Sequence, residues 1–317
     1  MIDFSKLQSL TIPEGVVTQI TDASGRVLWV LSGGKVVLEV EKITSKTYDG
    51  STAYDDERFI LLSVYPRTNS TVSITYGGLT KTITDTSGTE RPNAQQVFFG
   101  TFNGVSDIVE TPASGELTIE GECYAFAFGI FKQDKMLSYN CACITEIKSF
   151  GSVNEIPVAA FSLILHVGNG LRKVDLSGIK SIGNSAFLES AIEGDLMIPS
   201  SVEYIGDSAF SSVNNLTSVT IGNGVKSIGC SAFVRYASSS STGLRHVTML
   251  SETPPSMTIF TSEDDSGNSV SYYNSFGRFG DESYALPNKI IVPKGSASTY
   301  KSTEGWSDYA GIIVEAS

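Results

Sequence analysis

The stretch "SVEYIGDSAFSSVNNLTSVTIGNGVKSIGCSAF", residues 201–233, states one pattern twice. "YIGDSAF" ends at Phe210 and "SIGCSAF" at Phe233, 23 residues later. Upstream, "SIGNSAF" ends at Phe187, another 23 residues away, and a looser "EIPVAAF" ends at Phe161. In all four, an isoleucine stands five residues before the phenylalanine: Ile156, Ile182, Ile205 and Ile228. Three residues before each lies a further aliphatic side chain: Val153, Ile179, Val202 and Val225. Further back an L-x-x-V-x-Φ signature (Φ, aliphatic) recurs at Leu171/Val174/Leu176 and Leu216/Val219/Ile221. In a shortened unit Leu196 and Ile198 fill its last two places.

A period of this length marks a solenoid. Each unit offers two short strands, such as "TSVTI" and "VKSIG". Val219 and Ile221 alternate as one face of a strand does. One coil cannot bury that face alone, so stability comes from its neighbours. The phenylalanine is expected in the middle of the coil, with the preceding alanine making room in a tight corner. Gly183, Gly206 and Gly229 follow the isoleucines. They suit either a positive φ or a close approach between coils. The predicted structural core of the repeats is therefore Phe161, Phe187, Phe210, Phe233, Ile156, Ile182, Ile205 and Ile228.

These signatures resemble the BspA-like leucine-rich repeats, and "LMIPSSVEYIGDSAF" (196–210) is similar to that repeat along its length. "ETPPSM" (252–257) and "IIVPKGSASTYKSTEGWSDYAG" (290–311) resemble the family's closing unit. The resemblance covers residues 144–317. It implies a surface or adhesive protein and brings no shared catalytic residue. The family often carries a cysteine just beyond "AF"; here Ser190, Val213 and Tyr236 stand there.

The end of the array leaves the period. "VRYASSSSTG" (234–243) lengthens one loop, and "TSEDDSGNSVSYYNSFGRFGDESYALPN" (261–288) is a longer insertion. Solenoid insertions tend to line one face, often the binding face. Tyr272, Tyr273, Phe276, Arg278 and Phe279 are residue types enriched in binding hot spots. The same aromatics would also seal the open end of a solenoid, and that reading is preferred. Glu263, Asp264 and Asp265 lack the alternating ligands of a calcium loop and read as a solvated run.

Residues 35–132 read as a separate β-sandwich of immunoglobulin-like architecture. "KVVLEVEKI" begins it after the linker "SGG". "TVSITY" and "LTKTIT" flank Gly77-Gly78, a two-residue hairpin signal. "QVFFGTF", "GELTIEG" and "CYAFAFGIF" supply further strands. The Cys…Trp…Cys mark of true immunoglobulin domains is absent. Residues 1–31 form a third unit. "LQSLTIPEGV" (7–16) shares Leu, Ser, Thr, Ile, Gly and Val in register with "LTSVTIGNGV" (216–225). The segment after Val16 lacks the Gly-x-x-Ala-Phe corner. It reads as two strands, "VVTQI" and "RVLWV", around the turn "TDASG". The fold class is thus mainly β: an arm (1–31), a sandwich (35–132) and a solenoid with a C-terminal cap (144–317).

Composition narrows the function. The 22 Lys and Arg are scattered among 34 Asp and Glu, for a net charge of -12, which disfavours nucleic acid as a partner. No segment reaches the length of a membrane span. Cys123, Cys141, Cys143 and Cys230 form no C-x-x-C pair and read as structural thiols, with disulfides left open. His166 and His246 are too few for a histidine-rich metal site. No G-x-S-x-G, P-loop or H-E-x-x-H occurs, so neither a cofactor nor a metal is expected, and the chain is read as no enzyme.

The N-terminus lacks the basic start and apolar run of a signal peptide. A displayed repeat without an export signal points to a phage or prophage virion protein, a fibre or decoration made in a bacterial cytoplasm and assembled into the particle. On this reading residues 1–31 dock onto other virion proteins. The repeats then meet a host surface protein or glycan. The alternatives are a bacterial cell-surface adhesin and a carbohydrate-active enzyme. A homo-oligomer stays open.

Overall fold

Strict alternation in "VVLEV" gives strand Val36–Val40 one buried and one half-buried face. It pairs antiparallel with Gly115–Gly121 on one side and Ile144–Phe150 on the other. Gly115–Gly121 continues the sheet to Thr71–Tyr76, which pairs with Leu79–Thr84. Gly77 and Gly78 make the turn between these two at φ 58° and 82°, which is why glycines stand there. A second sheet orders Cys123–Phe128, Phe59–Pro66, Gln95–Phe102 and Val105–Ser106. Leu38, Ile74, Leu117 and Ile119 pack with Ile60, Leu62, Val64 and Val97 in one fully buried layer. Tyr76 meets Phe99 edge-on at 5.8 Å within it. The two sheets form a β-sandwich.

This is a computed structural model. It describes residues 19–21, 27–30, 35–40, 59–86, 95–102, 105–106, 115–128, 130–132, 135–137, 144–162, 170–235, 244–263, 269–272, 275–277 and 285–317. The chain is mainly β. Of the expected arm, Gln19–Thr21 and Val27–Val30 pair antiparallel, with Ile20 opposite Trp29. The rest of residues 1–31 lies outside the described residues, as do Asp264 and Asp265.

The repeats stack two parallel sheets. One orders Glu155–Ile156, Ser181–Ile182, Tyr204–Ile205, Ser227–Ile228 and Ser256–Met257. The other orders Gly194–Ile198, Leu216–Ile221, His246–Met249, Lys289–Val292 and Ile313–Glu315. Between them the phenylalanines form a column. Phe161 lies 5.2 Å from Phe187, Phe187 5.0 Å from Phe210, and Phe210 5.2 Å from Phe233. The last two pairs are stacked nearly parallel, at 9° and 4°.

The corner before each phenylalanine splits the two options the sequence left open between two residues. The left-handed residue is the serine, not the glycine: Ser185, Ser208 and Ser231 have φ near 55°, as does Ala159. A non-glycine residue there is disfavoured by about 1–2 kcal/mol. The backbone N–H of Ser208 is held by Cys230 O of the next coil at 2.8 Å, and that of Ser185 by Asp207 O at 2.8 Å. The glycines serve close approach instead. A Cβ on Gly206 would sit 2.5 Å from Asn184 N, and Gly183 and Gly229 are equally crowded by backbone. Side chains of the variable corner residue add a ladder. Asn184 Oδ1 accepts from Asp207 N at 2.9 Å, and Asp207 Oδ1 accepts from Cys230 N at 2.7 Å.

The boundary expected at residue 144 falls on a shared strand. Ile144–Phe150 pairs antiparallel with Val36–Val40 of the sandwich and parallel with Lys173–Val174 of the repeats. Arg172 N donates to Thr145 O, and Asp175 N to Ile147 O, so the next coil is laid directly on it. Inside, Phe126 of the sandwich touches both Phe150 and Phe161, at 5.5 and 5.4 Å. The aromatic column therefore begins in the sandwich, which covers the first coil of the solenoid.

Gly206→Ala should lower the urea-unfolding free energy by about 1–3 kcal/mol, because backbone must move. Ser208→Gly should change it by less than about 1 kcal/mol, relieved strain offsetting added chain entropy. Separately, a fragment of residues 144–317 should lose cooperative unfolding when monitored by circular dichroism. A sharp transition at the midpoint of the full chain would refute the covering role of the sandwich.

Candidate binding surface

The repeat phenylalanines and isoleucines named from sequence are all buried, so they build the scaffold and touch no ligand. Phe276 joins them. It is 0% exposed, stacked 5.5 Å from Phe233 at 10°. Ser275 O accepts the N–H of Phe233 at 2.8 Å, as Ala232 O accepts that of Phe210. "Ser275-Phe276" is thus a displaced copy of the "Ala-Phe" corner. It comes 19 residues after Met257, where other coils use five. Of the two readings offered for Phe276, sealing the column is the one its packing fits, and its reading as a surface contact is set aside, since a buried ring offers a partner nothing. Tyr272 ends strand Ser269–Tyr272, which pairs with Phe260–Glu263. Its side chain, together with Tyr273, Arg278 and Phe279, lies outside the described residues.

Beyond Phe276 the column closes on three aromatic residues. Trp306 and Tyr309 lie 5.9 and 5.8 Å from Phe276, and Tyr300 packs edge-on against Trp306 at 4.8 Å. Each spends its polar tip on backbone, as buried amphipathic rings must. Trp306 Nε1 donates to Pro255 O at 2.7 Å, Tyr300 Oη to Ser251 O at 2.8 Å, and Tyr309 Oη to Gly277 O at 2.7 Å. Burial pushes both tyrosine hydroxyls well up from their ordinary range.

The thiols are equally structural. Cys123 is buried, its Sγ donates to Ala125 O at 3.0 Å, and desolvation pushes it up to about 12. Cys230 is raised too, first by burial. With both thiols raised by burial, neither has thiolate character at neutral pH. Cys141 and Cys143 lie outside the described residues.

Among the described residues, what remains for recognition is the outer face of each solenoid sheet. On the longer strands the L-x-x-V-x-Φ signature turns three positions outward per coil. One row in register runs Asp195, Ser218, His246 and Lys289. The next runs Met197, Thr220, Thr248, Ile291 and Val314. Met197 is 54% exposed. On the short-rung sheet the outward row is Glu155, Ser181, Tyr204, Ser227 and Ser256. Beside it Glu203 pairs with Lys226, whose ammonium lies 6.0 Å from the centre of the Tyr204 ring. Lys226 and, less strongly, Lys180 hold the Glu203 carboxyl below its usual range, and Glu203 raises Lys226. Tyr124 of the sandwich donates its hydroxyl to Glu155 at the near end of the row. Surface pairs of this kind orient side chains more than they stabilise the fold.

Sequence reasoning passed over these outward rows, because it tracked the buried positions. It also missed that Ile144 and Ile147 precede Phe161 by 17 and 14 residues, the offsets of Leu216 and Val219 before Phe233. That spacing was the available signal for the shared strand.

Phe276→Ala should lower stability by about 3–5 kcal/mol in urea titration, as truncation of a core ring does. An unchanged midpoint would return Phe276 to the surface. In the native protein Cys123 should resist a disulfide reagent at pH 8 and react once urea unfolds the chain. A thiol raised in the folded state favours folding below its unfolded value near 9, and that contribution is lost as pH rises towards about 12.

Residues 134–253 match the BspA type leucine rich repeat region, in six copies. That stretch is a BspA-type leucine-rich repeat array. The crystal structure of the pneumococcal vaccine antigen PcpA is similar over 58% of this chain, at 15% identity and a TM-score of 0.30. The alignment covers 42% of that chain, so this chain spans less than half of its length. No curated protein matches the chain.

Proposed function

We propose that this chain is a non-enzymatic structural and adhesive protein of a phage particle, with the repeats presented to a host-surface protein or glycan. The observation that carries the adhesive reading is the way the BspA-type array is held. Its first coil is built into the sandwich and its last is sealed by Trp306, Tyr300 and Tyr309. Both ends are committed to packing, which leaves the two sheet faces to meet a partner. The modular order of hairpin, sandwich and solenoid supports the particle: residues 1–31 dock, the sandwich spaces, the repeats engage. A bacterial cell-surface adhesin is the second reading, favoured by the repeat family itself.

Mass spectrometry and immunogold electron microscopy of purified particles test the choice. The chain should be found on the particle. Deleting residues 1–31 should leave the repeats folded and abolish incorporation. A variant lacking the arm that assembles normally would overturn the docking role. A chain absent from particles but displayed on cells would select the second reading.

A further inference from the structure

Tyr204 stands apart from the other aromatic residues whose side chains are described: it is 52% exposed, while those are buried or half-buried. In the coils on either side Ser181 and Ser227 hold the same register position. They are too short to cover the ring. Lys226, paired with Glu203, lies 6.0 Å from its centre. A chain-like ligand crossing the strands would meet a hydroxyl, a ring and a hydroxyl, one about every 4.8 Å. A pyranose unit has the complementary surface: an apolar C–H face for the ring and rim hydroxyls for the serines.

Charge narrows the ligand further. Lys180 and Lys226 stand on either side of Glu203 in register, two ammonium groups to one carboxylate. The chain around them carries -12. Glu155, two strands from Tyr204, is already engaged by the Tyr124 hydroxyl. Lys180 is exposed, and Glu203 is ion-paired with Lys226 rather than with it.

We propose that this row on the short-rung sheet binds an acidic polysaccharide, one sugar ring stacking on Tyr204 and a sugar carboxylate meeting Lys180. The proposal rests on the adhesive reading and adds its ligand class and site.

Affinity electrophoresis of the full chain through gels holding polygalacturonate, hyaluronate or neutral dextran tests it. At least one acidic polymer should retard the protein, less so as salt rises. Tyr204→Ala should weaken retardation about tenfold, Tyr204→Phe should retain it, and Lys180→Gln should weaken it. Because the ring is exposed, the urea midpoint of Tyr204→Ala should stay at that of the parent. Unretarded migration through both acidic polymers overturns the proposal, as does full retardation of Tyr204→Ala. Equal retardation by dextran overturns the acidic assignment. The adhesive reading is judged separately, by attachment of intact particles or cells. Attachment that survives Tyr204→Ala removes this site and leaves that reading standing.

Discussion

A single coil of this solenoid has nowhere to put its phenylalanine. The ring is too large for the two short strands around it to enclose, so each coil is completed by the rings above and below. Everything else answers that constraint. Glycines let backbones approach, serines accept a left-handed turn so that their N–H groups reach the next coil, and the outer faces are left free to vary. A column of rings has two ends, and neither can meet water. At one end Phe126 and Phe150 extend it into the sandwich. At the other Trp306, Tyr309 and Tyr300 finish it and turn their polar tips onto backbone carbonyls. The array and its flanking units are therefore one packing problem, and the buried cluster runs through both.

The sequence displayed this constraint unevenly. Phe187, Phe210 and Phe233 announce themselves because identical neighbours recur at a fixed interval. Phe276 occupies the next place in the same column, yet 14 more residues separate it from its coil's aliphatic position than elsewhere. Periodicity is blind to a member displaced by an insertion, although the ring it must stack on is unchanged. The first coil was hidden for another reason. Strand Ile144–Phe150 satisfies two periodicities at once, antiparallel with the sandwich and parallel with the repeats. A reading that assigns each segment to one unit splits it from one of its partners.

The candidate surface was less legible still. Buried residues repeat because packing repeats, and so they can be read by alignment of one coil on the next. Outward residues are under no such constraint. Tyr204 stands where its neighbours have serine, and nothing in the pattern "YIGDSAF" beside "SIGCSAF" says which of the two is the scaffold and which the exception. Only the register of the strands shows that one ring is flanked by two hydroxyls. The Ser185, Ser208 and Ser231 corners teach the reverse lesson. A left-handed backbone points first to the adjacent glycines, because glycine adopts it at least cost. Crowding by the next coil decides otherwise.

The shared strand also gives the repeats a place to start folding. Domains form as the chain emerges, N-terminal part first. The sandwich strands Val36–Val40 and Gly115–Gly121 leave the ribosome before Ile144–Phe150, which completes their sheet and at once offers an edge to the next strand. Each coil can then settle on a finished predecessor as it emerges, so the array grows from a template rather than by chance nucleation within identical units. Register errors between near-identical coils, a hazard for any repeat array, are countered by counting from a fixed origin. Until Trp306 and Tyr309 emerge, the growing tip exposes an unstacked phenylalanine. The aromatic residues at 300–309 then cover that ring and close the column.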